Sequence, residues 1–302
     1  MNSQLTGRGA HRAITVPADG GGTTGATGAT GSADATGSAN TASPAGDVVF
    51  LGVIRSEWTK FRSLRSTGWT LALGGVAMVG LAVLMCATAA ADWDGGDPEL
   101  AGFDAAVHGL GGALLAQIAI GVLGVLVITG EYTTGMIRAT LTLVPRRLPV
   151  LWAKAIVFAG VAFAFALVTS LVSFTVGQAI LAGEDLDISI GSPGAMRAIL
   201  GCAFFLTEVG LLGLAIGTLL RSTAGAVSAL LAVLLGLPIL MNLLPPGMQS
   251  VGRYLPASIG EVLISTRDGD NVFSPGPAAV MMTVYLVVAL TAAAVVLARR
   301  DV

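Results

Sequence analysis

The chain has 302 residues, 54% of them apolar and 11% charged, with a formal net charge of −2 and a mean hydropathy of +0.82. Soluble domains carry about a quarter charged residues; here the apolar residues run in blocks of roughly 20 or more, the length that crosses a bilayer. A soluble globular core is excluded, and the only cysteines, Cys86 and Cys202, lie inside apolar blocks where a free thiol behaves as a small hydrophobe.

Residues 1–47 are a low-complexity tract of Gly, Ala, Thr and Ser. Such a segment buries too little to offset its ordering entropy, so a disordered tail is expected. It has no apolar core of the kind a secretion signal needs. A cytoplasmic tail that tolerates deletion follows from this.

Over residues 48–66 an amphipathic helix is predicted. Phe50, Leu51, Ile54, Trp58, Phe61 and Leu64 fall on one face, and Arg55, Thr59, Arg62 and Ser66 on the other. A basic polar face suits the membrane interface, with Lys60 and Arg65 reaching anionic headgroups. The alternative is a soluble helix docked on a partner. Glu57 sits on the apolar side, which a pure anchor does not need, and calls for a cationic partner within the protein.

Six spans are predicted over about 69–91, 110–129, 150–181, 198–220, 224–244 and 278–298, giving an all-α polytopic membrane protein. The third is longer than one bilayer requires and can tilt or project. Basic residues alternate across the spans. Arg55, Lys60, Arg62, Arg65, Arg138, Arg146, Arg147, Lys154, Arg221, Arg299 and Arg300 fall on one side, and only Arg197, Arg253 and Arg267 on the other. The positive-inside rule then places both termini in the cytoplasm of a cell membrane. No internal repeat is visible, so the inverted-repeat design of many secondary transporters finds no support.

The loop after the second span, GEYTTGMIRATLTLVPRRLPVLWAK, is more than a turn. Thr133 or Thr134 can cap a helix, Gly135 permits a tight backbone, Met136, Ile137, Leu141 and Leu143 supply apolar contacts, and Pro145 ends the run. A short helix there serves either to receive force from a soluble motor or to lie on the membrane surface without a partner. Glu208, mid-way along the fourth span, has two readings as well. A charged carboxyl at that depth costs at least about 2.5 kcal/mol, so it is either a polar site in a transport path or an interhelical hydrogen bond to Gln117 or Asn242. The segment 245–277 is too apolar for a free loop and too short for a span, which points to a re-entrant or interfacial hairpin over the outer mouth. His108 reads as an interfacial residue, and Asp268–Asn271 as a turn without calcium-loop spacing.

Several of these segments resemble the permease subunits of type-2 ABC exporters, especially actinobacterial ones. They are RSEWTKFRSLRSTGW, GEYTTGMIRATLTLVPRR followed by Lys154, RSTAGAVSALL after the fourth span and RYLPASIGEVLI before the sixth. The resemblance spans about residues 48–302 and implies a half-transporter that pairs with a second permease copy and binds two copies of a separate ATPase. It implies that Glu131, Tyr132, Thr133, Thr134, Gly135, Met136, Ile137 and Arg138 form the coupling helix, and that Arg221, Ser222 and Thr223 make a smaller second contact. The chain lacks the phosphate-cradling G-x-x-x-x-G-K-[ST] loop and any arranged nucleophile set, so ATP hydrolysis belongs to the partner. No cofactor, no metal and no nucleic-acid partner are expected; membrane lipid is. A homodimer and a heterodimer with a related permease stay open, as do two other functions: a lipid-modifying intramembrane enzyme, and a membrane-anchored interaction protein. The apolar walls fit a lipid, a peptide or a hydrophobic drug.

Overall fold

A computed structural model describes residues 45–63, 65–94, 96, 102–133, 147–245, 250–267 and 273–299. Residues 1–44 of the expected tail, the loop residues 134–146 and the Asp268–Asn271 turn therefore lie outside the described residues, while the last three residues of that tail, 45–47, are helical. All regular structure among the described residues is helical, and six helices are long and apolar enough to cross a membrane.

Helix α1 (Ala45–Ser63) precedes the first span, α2 (Arg65–Ala91). The second span is broken near its start into α3 (Ala105–Leu110) and α4 (Ala113–Thr133). Gly112 at the break lets α2 approach, since a Cβ there would lie 1.7 Å from the Met78 carbonyl oxygen. The third span, α5 (Arg147–Leu181), has 35 residues, about 52 Å at 1.5 Å per residue. It outruns a bilayer core of about 30 Å. The fourth span is α6 (Ala195–Leu220) and the sixth is α10 (Pro275–Arg299).

The fifth span is not one continuous α-helix. It comprises α7 (Thr223–Leu231), a π-helical turn over Ala232–Gly236, and α8 (Leu237–Asn242). Pro238 near the start of α8 cannot donate to the preceding turn, and the wider π turn absorbs that missing bond.

Helix α6 is the centre of the bundle. Its membrane window is 78% buried, against 17% for the fifth span. α4, α5 and α10 pack around it, with α2 laid across α4 and α5. The α4–α6 seam is made by small residues. A Cβ on Gly124 would lie 1.9 Å from the Gly210 carbonyl oxygen, and one on Gly213 2.2 Å from that of Gly121. In lipid, where apolar surface alone drives little association, backbones at such range supply the packing that holds two spans together.

The segment before the last span is a folded cap. After a 3₁₀ turn (Ser250–Tyr254), α9 (Pro256–Ile264) buries Ile259, Val262, Leu263 and Ile264 against α6 and α10. Gly260 sits under the Phe205 ring, and the Tyr285 hydroxyl donates to the Tyr254 carbonyl at 2.7 Å. The described part of residues 245–277 is thus largely helical and packed on the bundle, neither a free loop nor a span.

Helix α1 differs from its predicted stripe. Its buried side is Val53 and Glu57, with Phe50 and Ile54 packed near Val150 and Ala153 of α5, while Leu51 and Trp58 stay exposed. The docking surface is rotated toward the carboxylate because the ionic partners of Glu57 lie on α5 and α1 itself.

Candidate functional site

At the end of the bundle that carries most of the basic residues, four charges close a ring. Lys154 Nζ donates to Glu57 Oε2 at 2.5 Å and to Glu131 Oε1 at 2.9 Å. Lys60 Nζ donates to Glu57 Oε1 at 2.7 Å and to Glu131 Oε1 at 3.3 Å. The ring joins α1, the last turn of α4 and the second turn of α5. It is electrically neutral. Lys154 and Glu57 are almost wholly buried, whereas the Lys60 side chain is 32% exposed. Burial pushes the Glu57 carboxyl up, but Lys154 and Lys60 outweigh it and hold it below its ordinary value. Burial likewise depresses Lys60, and Glu57 and Glu131 more than reverse it. Lys60, expected to reach headgroups, also donates to two carboxylates of its own chain. Glu57 has the cationic partner its position demanded.

The ring also explains how α4 can run past the expected end of the span. The second span was expected to stop near Thr129, but the helix continues through Glu131 to Thr133, because the charge of Glu131 is neutralised in place. The Thr133 hydroxyl bonds back to the Gly130 carbonyl at 3.0 Å, within the last described turn of α4. Beside it the Arg221 guanidinium lies over the Tyr132 ring, 5.5 Å from its centroid. Arg221 is in the left-handed region, φ 53°, at the end of α6. Ser222 then accepts from Gly225 N at 3.3 Å and Thr223 opens α7. The residues expected at two separate contacts, Glu131–Thr133 and Arg221–Thr223, are therefore neighbours. Thr134, Gly135, Met136, Ile137 and Arg138 lie outside the described residues.

A cavity of about 400 Å³ opens next to the ring, between α1, α4 and α5. Phe61, Leu126, Val127 and Val157 form its apolar wall, and Lys60 and Glu131 are among the polar groups on its floor.

Glu208 is 7% exposed and faces the bundle interior. Neither proposed interhelical bond forms: Glu208 Oε2 and Gln117 Oε1 are both buried without a hydrogen-bond partner among the described residues.

Residue-type reasoning missed a second carboxylate hub at the opposite end. Asp104 accepts from Ala106 N at 3.0 Å and Val107 N at 3.3 Å, capping α3. It also takes Ser265 Oγ and Thr266 N at 2.8 Å and Thr266 Oγ1 at 2.9 Å, which ties the end of α9 to the start of the second span. Arg197 Nη2 reaches the Ser265 carbonyl at 2.6 Å. Burial raises the Asp104 carboxyl, and these donors outweigh it, leaving it below the usual carboxylate value. The Asp104-Ala-Ala-Val run carried an N-cap signal; its partners 161 and 162 residues away left no local trace.

The fold and the two charged ends define a multi-pass helical membrane protein with a central, nearly buried span and no extended soluble domain among the described residues. A family model described as ABC-2 family transporter protein matches residues 53–239, and the chain belongs to that family, the membrane component of ABC transporters. No curated protein matches the chain.

Proposed function

We propose that this chain is the membrane-spanning permease subunit of an ABC exporter, forming the substrate path as a dimer and driven by two copies of a separate ATPase. The end bearing the ionic ring faces the cytoplasm, and both termini lie there. Glu131 to Arg138, with Arg221, Ser222 and Thr223 beside them, receive the motor. Glu208 lines the path. The chain performs no catalysis of its own.

The observation that carries this reading is the meeting of two loops at one end. Arg221 lies over Tyr132, and the next residue toward the membrane, Glu131, is bound through Lys154 and Lys60 to α5 and α1. A push on either loop is passed to four helices at once, including the central α6. Packed elements with discrete contacts move as units, which is what a motor-driven rocking of spans needs.

The test is affinity isolation of the full chain from cross-linked native membranes. An ATPase of the ABC class is expected to copurify; its absence would sink the proposal. In reconstituted complex, Arg221→Ala and Tyr132→Ala should uncouple hydrolysis from export with insertion intact. Glu208→Gln should leave the ATPase bound and change transport alone. If both classes of variant behave alike, motor contact and path have not been separated, and the assignment of these residues falls.

A further inference from the structure

The cavity beside the ionic ring has the shape and chemistry of a lipid site. It lies where the charged ends of the second and third spans meet the apolar wall of Leu126, Val127, Val157 and Phe61. Its volume, about 400 Å³, falls in the range of a small-molecule pocket, about 300–1,000 Å³. That suffices for a headgroup and the first part of the chains, not for a whole phospholipid. Leu126 is 41% exposed, so chains can continue from the cavity along the lipid-facing surface of α4.

The charges restrict the headgroup. Lys154 also lines the cavity, but it is almost wholly buried and already bonded to two carboxylates. The edge that a ligand can open is the longest, Lys60 to Glu131 at 3.3 Å, and it also involves the less buried of the two lysines. Lys60 and Lys154 share Glu131 Oε1, and no donor among the described residues occupies Oε2. The pocket thus offers one cation and one carboxylate oxygen side by side. A purely anionic headgroup would take Lys60 and face the carboxylates beside it. A headgroup with both signs satisfies both. Its cation must donate hydrogen bonds, as the Lys60 ammonium does, and a quaternary ammonium has no proton to give.

The geometry points to a resident binding site for an ethanolamine phospholipid of the cytoplasmic leaflet, with its ammonium on Glu131, its phosphate on Lys60 and its chains against Leu126, Val127 and Val157. The occupied site wedges α1 against the second and third spans. The leaflet rests on the orientation proposed above; the lipid preference requires membrane insertion only, and neither rests on any residue's role in coupling.

The experiment reconstitutes the full chain in bilayer discs of phosphatidylcholine containing equal shares of phosphatidylethanolamine and phosphatidylglycerol. The protein is then extracted in mild detergent, and retained lipid is read by native mass spectrometry. Phosphatidylethanolamine should be enriched about tenfold over the other two, the effect of one charge-assisted hydrogen bond. Glu131→Gln should abolish the enrichment. Val127→Trp, which fills the apolar part and leaves all four charges in place, should abolish it too. Equal retention of the three lipids, preference for phosphatidylglycerol, or enrichment that survives either variant overturns the proposal. The comparison of lipids on the unaltered protein decides the matter even if Glu131→Gln does not fold.

Discussion

Replacing Lys154 by Met should destabilise the protein far more than replacing Lys60, although both contact the same two carboxylates. Lys154 is 4% exposed and lies 2.5 Å from Glu57 and 2.9 Å from Glu131. Its removal leaves two carboxylates in a nearly dry site, with Lys60 able to offset only part of their repulsion. Breaking a buried pair in this way costs about 3–5 kcal/mol. Lys60 is one-third exposed, and solvent screens its loss; pairs of that kind contribute about 0–1 kcal/mol. The difference, about 2–5 kcal/mol, corresponds to a Tm gap of roughly 4–20 °C if a chain of this size loses about 2–4 °C per kcal/mol. The protein carries its own reporter. Cys86 and Cys202 are free and buried, so a thiol-reactive fluorophore lights up as the bundle unfolds. Purified Lys154→Met and Lys60→Met proteins are heated in the same detergent and their transitions compared. Adding Glu57→Gln to Lys154→Met should recover part of the loss, a non-additivity above about 0.5 kcal/mol. Equal, small shifts for the two lysine variants, or strict additivity in the double variant, would refute the claim that the inner lysine holds the ring together.

Other outcomes follow from the same contacts. Gly124→Ala should cut the yield of folded protein sharply, because its Cβ meets backbone at 1.9 Å, whereas Gly160→Ala, with nothing within 4 Å, should behave like the parent; yield and melting of the two variants check this. An impermeant thiol reagent applied to intact cells should label Asp94→Cys and spare Ser222→Cys, over the low background of two buried cysteines; the opposite pattern reverses the orientation. Asp104 is held below its ordinary value of 3.8, so the unfolded chain takes up its proton first as the solution is acidified. Its stabilisation is complete above that value and is lost as pH falls through the lower native one. Asp104→Asn should flatten this acid limb of the melting temperature and leave the remainder of the profile parallel to the parent.

The existence of six spans was legible in the sequence because bilayer thickness is a length constraint. An uncharged apolar run of sufficient length has few alternatives in lipid, and each such run declares itself without reference to any other. The alternation of Arg and Lys is likewise a property of loops taken one at a time. Glu57 could be recognised as misplaced, since a carboxylate on the apolar side of a helix needs a cation. Its partner could not be named. Lys154 is 97 residues away, and only the packing of α1 on α5 brings the two together. The same holds for Arg221 on Tyr132, for the Ser265 and Thr266 donors to Asp104, and for the seam of Gly121, Gly124, Gly210 and Gly213. Composition and period follow from each helix's meeting with its solvent. Partner choice depends on rotation and register between helices, and several rotations satisfy the same lipid, so only the tertiary structure decides which side chains meet.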